Sequence, residues 1–170
     1  MGIKKIRFLG IDPGLQKTGW GIVDLNLDRS FDYISSGIIK TTTKEKIADR
    51  LYYIFSKINH IIHEFLPNEV AIEDTYVNKN YQASLKLSHA RAAIIIAVSH
   101  CKLMPKEYPA KTIKKTLVGT GTADKKQIIA MLKFWLPGVS TLTEDAADAL
   151  ALAICHANHY QANEAYNKVK

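Results

Sequence analysis

The stretch Ile6-Arg-Phe-Leu-Gly-Ile-Asp-Pro-Gly14 is an apolar run that ends on a carboxylate and is then stopped by Pro-Gly. A short apolar run bounded by such a breaker pair reads as a strand, with Asp12 at its carboxyl end. Working outward, residues 19–27 and 31–39 follow at hairpin-like spacing, so three consecutive antiparallel strands open the fold. Thr42 with Glu45 makes a capping-box pattern, and Ile47, Leu51, Ile54, Ile58, Ile61, Ile62 and Phe65 keep helical spacing up to Pro67. Residues 70–73 read as a short strand. Residues 83–99 read as a helix that is apolar on almost every side from Ala92 to Val98, which predicts deep burial. A central core helix explains that pattern, and so does burial against a second subunit.

Residues 103–108 suit another strand, 112–118 and 124–135 short helices, and 143–160 a final helix, with 161–170 as a frayed tail. A meander followed by helix, strand, helix, strand and further helices predicts an α/β fold: a mixed five-stranded sheet flanked by helices, in a single domain over residues 1–160. At 170 residues, 47% hydrophobic and 23% charged, the chain has the composition of one ordinary packed domain. The apolar start is too short, and too soon broken at Asp12, for a signal peptide or membrane span, so a cytoplasmic location is expected. Cys101 and Cys155 lie outside any CxxC pattern and read as reduced, buried thiols.

Four acids are the candidates for the chemistry. Asp12 and Glu73 each end a strand, and if those strands are parallel neighbours the carboxylates meet at the edge where α/β sheets place ligands. Asp145 and Asp148 share one face near the start of the last helix. Singly, each has a bland reading as a turn, strand-end or helix-dipole residue. Converging, they would be costly unless a cation neutralised them, and an all-oxygen set favours magnesium or manganese. Paired ions of that kind activate water and stabilise the leaving oxygen of a phosphodiester.

The formal charge is +7, and residues 102–133 hold eight lysines against Glu107 and Asp124, a local net of +6. Such a one-sided stretch is the footprint of a polyanion-binding surface, although charge alone equally describes a solvated lysine face. Gly119 and Gly121 lack the Lys-Ser/Thr ending of a phosphate loop and read as turn residues. His60, His63, His156 and His159, spaced three apart in pairs, have no third ligand in view and read as helix-surface histidines.

Gly10-Ile-Asp-Pro-Gly14, Thr18-Gly-Trp-Gly21, Ala71-Ile-Glu73 and Asp145-Ala-Ala-Asp-Ala-Leu150, in that order, closely resemble the RuvC family of Holliday junction resolvases. Leu85-Lys-Leu87, Ala90-Arg91 and Val118-Gly-Thr-Gly121 with Lys125 stand in the family's order as well. The resemblance implies a ribonuclease H-like fold and a homodimer that nicks two opposed strands of a four-way DNA junction. It implies magnesium dependence, with manganese substituting and two ions per subunit in the cleaving complex, and 5′-phosphate and 3′-hydroxyl ends.

Asp12, Glu73, Asp145 and Asp148 match the family's catalytic, metal-binding positions. Tyr76 falls where the family usually carries a phenylalanine that stacks on a base, and its alternative is an aromatic packed over the loop after Glu73. Lys114 and Lys125 match basic positions near the DNA, while Lys79, Arg91, Lys111, Lys115 and Lys126 are further candidates for phosphate contact. Coupling to the RuvA and RuvB branch-migration proteins is also implied. Two other readings have a sequence feature against them. An actin-like ATPase or sugar kinase needs two such domains and does not predict the acids at 145 and 148, and a non-catalytic junction-binding module does not need the intact acidic set.

Overall fold

The computed structural model describes residues 5–74, 80–139 and 141–167. Strands β1 (Ile6–Asp12), β2 (Lys17–Leu25) and β3 (Phe31–Lys40) form the antiparallel meander. Helix α1 (Ile47–Phe65) leads to β4 (Glu69–Asp74), and α2 (Tyr81–His100) to β5 (Lys106–Pro109). Three helices complete the order: α3 (Ala110–Val118), α4 (Lys125–Trp135) and α5 (Glu144–Asn167). The strands lie in the order β3-β2-β1-β4-β5, with β4 parallel to both β1 and β5. This is the predicted mixed five-stranded sheet.

Because side chains alternate across a strand, β1 feeds two cores at once. Leu9 and Ile11, with Val70 and Ile72 of β4, pack against Ile54, Ile58 and Ile62 of α1 and Ile94 and Val98 of α2. Phe8 and Ala71 face the other way, into a cluster with Leu150, Ala153 and Ile154 of α5, Ile113 and Leu117 of α3, and Ile128 and Leu132 of α4. Asp12 and Glu73 continue this second alternation and therefore stand on the α5 side.

Several local expectations need correction. The Thr42–Glu45 pattern closes a turn ahead of α1, with the Thr42 N–H donating to Glu45 Oε2 at 3.0 Å, while the helix cap is Lys46 with no side-chain bond. The fifth strand begins at Lys106 because residues before it complete the end of α2: Lys102 is left-handed (φ 61°) and the Leu103 N–H donates back to the Val98 carbonyl. Helix α2 is not buried all round: Ala93, Ile94, Ala97 and Val98 are, whereas Leu85 is 45% and Ile96 60% exposed. Where a tail was expected, α5 continues as helix to Asn167. Among the described residues no helix is long and apolar enough to cross a membrane. Both cysteines are free, Cys155 buried and Cys101 partly so.

Candidate active site

The parallel register Gly10↔Ala71, Ile11↔Ile72 sets Asp12 and Glu73 at neighbouring positions on the carboxyl ends of β1 and β4. Asp145 and Asp148 reach the same edge because α5 lies unusually close to the sheet. A Cβ on Gly19 would stand 2.1 Å from the Asp145 carbonyl oxygen, one on Gly10 2.1 Å from that of Ala149, and one on Gly21 2.6 Å from Leu150 Cγ. Three glycines thus make a seat that any side chain would fill. Gly19 is the cross-strand partner of Asp12, so the first turn of α5 is held directly over the end of β1.

The electrostatics report the convergence. Burial, then the charges of Glu73, Asp148 and Asp145, push the Asp12 carboxyl up to about 8, with Lys125 acting the other way. Burial and Asp148 push Glu73 up to about 7 against Lys114. Asp148 is raised chiefly by burial, with Lys125 as the largest opposing influence. All four acids are half-buried. Even so, among the described residues no three His, Cys, Asp or Glu side chains stand close enough to form a ready-made ion cage. The carboxylates feel one another at coulombic range without closing up, as expected of like charges sharing a dry edge.

A cleft of about 220 Å³ opens between Glu73, Asp148, Lys114, Lys125, Ile113 and Ile128. Its far wall is α3 and α4, so two of the predicted basic residues face the acids. Lys125 also pairs with Glu144. Lys111, Lys115 and Lys126 are exposed on the same two helices. Arg91 is otherwise engaged, its guanidinium pairing with Glu107 at 2.5 Å and lying 3.8 Å from Asp74. Tyr76 and Lys79 lie outside the described residues. Gly119 ends α3 as its left-handed cap, consistent with a turn residue.

One expectation about histidine is overturned. His156 is 3% exposed, bonded to Tyr108 and Glu69, and so is a core residue. Spacing alone could not show this, since both partners come from β4 and β5. A signal was nonetheless present: the stretch from Ala149 to Ala157 is apolar on all sides apart from this ring, and a polar group in such a helix needs a buried partner.

The donor set, all carboxylate oxygen in half-dry surroundings, fits a hard divalent cation, whose charge would offset the mutual repulsion. The fold is that of the ribonuclease H-like nucleases, a class to which divalent-metal dependence is general. The family model for crossover junction endodeoxyribonuclease RuvC matches residues 8–156. The chain is 44% identical over 156 residues to the crossover junction endodeoxyribonuclease RuvC of Brucella ovis, covering 92% of this chain and 90% of that one. Identity to the Mesorhizobium japonicum enzyme of the same name is also 44%, with 92% of each chain covered. T. thermophilus RuvC in complex with Holliday junction substrate superposes with a TM-score of 0.88 at 25% identity, covering 93% of this chain and 96% of that one. The yeast mitochondrial Holliday junction resolvase shares the fold, with a TM-score of 0.66 at 16% identity and coverage of 88% and 77%. This protein belongs to the RuvC family of crossover junction endodeoxyribonucleases.

Proposed function

We propose that this chain resolves Holliday junctions in homologous recombination and DNA repair, nicking two opposed strands symmetrically and leaving 5′-phosphate and 3′-hydroxyl ends. The observation that carries the reading is the meeting of Asp12, Glu73, Asp145 and Asp148 at one sheet edge across a cleft from Lys114 and Lys125. The four carboxylates would hold two magnesium ions, with manganese substituting, which when bound activate the attacking water and stabilise the leaving oxygen. The protein's own part is positional. Lys114 and Lys125 draw the scissile phosphate into the cleft, the exposed Lys111, Lys115 and Lys126 track the backbone beside it, and Tyr76 stacks on a base near the crossover. Lys79 is a further phosphate contact in this reading. Arg91 is a weaker one, since Glu107 and Asp74 already engage it.

A two-fold homodimer is supported by the apolar side chains that α2 leaves exposed, Leu85 and Ile96. Such a dimer offers two equivalent sites to the two equivalent strands of a junction. Coupling to RuvA and RuvB completes the pathway implied by family membership, and as an enzyme of chromosomal DNA the protein belongs in the cytoplasm.

The test is cleavage of a labelled synthetic four-way junction beside a matched linear duplex. Paired magnesium-dependent nicks on opposed junction strands are expected, abolished by chelator and by Glu73→Gln while junction binding survives. Tight junction binding by the wild type without cleavage would overturn the enzymatic reading, and equal cutting of the duplex would remove the junction specificity.

A further inference from the structure

Helix α5 lies close on the sheet, with Gly10, Gly19 and Gly21 below and the backbone of Asp145, Ala149 and Ala153 and the Leu150 side chain above. Apart from Leu150 over Gly21, these contacts are backbone against glycine, and apolar packing is non-directional, so it fixes the rotation of the helix less sharply than hydrogen bonds do. Yet α5 carries Asp145 and Asp148, whose distance from Asp12 and Glu73 depends on that rotation. His156 supplies the directional bonds that the glycine seat lacks. It follows Ala149 by seven residues and Asp145 by eleven, which at helical pitch puts all three on one stripe.

The His156 ring sits where α5 crosses three strands. Its Nε2 lies 3.1 Å from Glu69 Oε2 on β4, and its Nδ1 2.9 Å from the Tyr108 hydroxyl on β5. Phe8 of β1 meets it edge-on, with centroids 5.3 Å apart. Tyr108 is in turn the register partner of Glu73, and Glu69 shares Glu73's strand and face. With a neutral imidazole every valence is used: Nε2–H donates to the Glu69 carboxylate, and the Tyr108 hydroxyl donates to Nδ1. Burial holds the imidazole pKa down and the phenol pKa up, so both hydrogen bonds keep their sense.

We propose that Glu69, His156 and Tyr108 are positioning residues, a polar pin that sets the rotation and register of α5 and so fixes where Asp145 and Asp148 are presented to Asp12 and Glu73 for ion binding. The inference rests on the metal-nuclease reading above. It assigns none of the three to contact with DNA or with the ions.

Tyr108→Phe tests it most cleanly, because it removes one hydroxyl and leaves the ring. Free Mn2+ is counted by its electron paramagnetic resonance signal during titration, and junction cleavage is followed well below the melting temperature. The expected result is Mn2+ affinity weakened about tenfold and kcat lowered about tenfold, with KM for the junction unchanged. His156→Leu should show a larger loss, and Glu69→Gln, which keeps an acceptor for Nε2–H, should stay close to wild type. A role confined to stability would lower the melting temperature and leave Mn2+ affinity and kcat untouched, and that result overturns the proposal. Should His156→Leu fail to fold, Tyr108→Phe still decides. Wild-type protein that binds Mn2+ but cuts no junction would sink the resolvase reading alone, with the Mn2+ titrations still judging the pin, whereas wild-type protein that binds no Mn2+ sinks both.

Discussion

At Asp12, burial and three neighbouring carboxylates act in one direction, lifting its pKa from an ordinary 3.8 to about 8. Between those values the unfolded chain gives up a proton that the folded chain keeps, so the metal-free protein loses stability as pH rises from about 4 through about 8. Glu73, lifted from 4.5 to about 7, adds to the loss in the lower part of the same window. Ion binding needs both groups ionised, so the stabilisation conferred by magnesium should grow with pH over that range. Melting curves in chelator and in magnesium, taken from pH 5 to 9, check this, and a constant difference would contradict it. By the same logic Asp12→Asn should abolish cleavage yet stabilise the metal-free protein at pH 8 by about 1.5 kcal/mol, or roughly 3–6 °C in melting temperature. Asp12 and Glu73 were legible in the sequence because each closes an apolar run, a purely local signal. Glu69 and Tyr108 were not, because their partner is brought to them by α5 from far along the chain.

Among the elements, α5 and the strands beneath it depend most sharply on single positions. Gly10→Ala would drive a methyl into the Ala149 carbonyl and the Ala153 amide, both backbone atoms that cannot swing aside. The helix must lift, at a cost of about 3 kcal/mol, and cleavage should fall more than a hundredfold even in protein that stays folded. Gly21→Ala meets the Leu150 side chain as well as its amide, so part of the strain can be relieved and the loss should be smaller. Paired thermal melts and single-turnover rates on the two variants test the order. The strand and helix types follow from hydrophobic period, which is why the sheet and its flanking helices were readable in advance. Boundaries departed from expectation where a local bond or a turn competed, as at Thr42–Glu45 and at Lys102. The one-sided burial of α2 departed for another reason: period reports that a face is apolar, not which molecule covers it.

At the scale of the whole molecule the surplus charge and the exposed face of α2 make separate predictions. If Lys115 and Lys126 contact phosphates, Lys115→Ala with Lys126→Ala should reduce the slope of log K against log salt for junction binding by about two. An unchanged slope would return those lysines to plain solvated surface. Ile96→Asp should shift the protein toward monomer in sedimentation and replace paired nicks by single uncoupled ones, leaving secondary structure intact. The seat of three glycines has one more consequence, for the order in which the protein is made. Gly10, Gly19 and Gly21 are synthesised well over a hundred residues before the helix that covers them. Until residues 144–167 emerge, a growing chain carries only two of the four acids and an uncovered sheet face. On the metal-nuclease reading proposed above, a chain that stops before α5 should therefore cut no DNA and should expose the apolar sheet face that α5 covers.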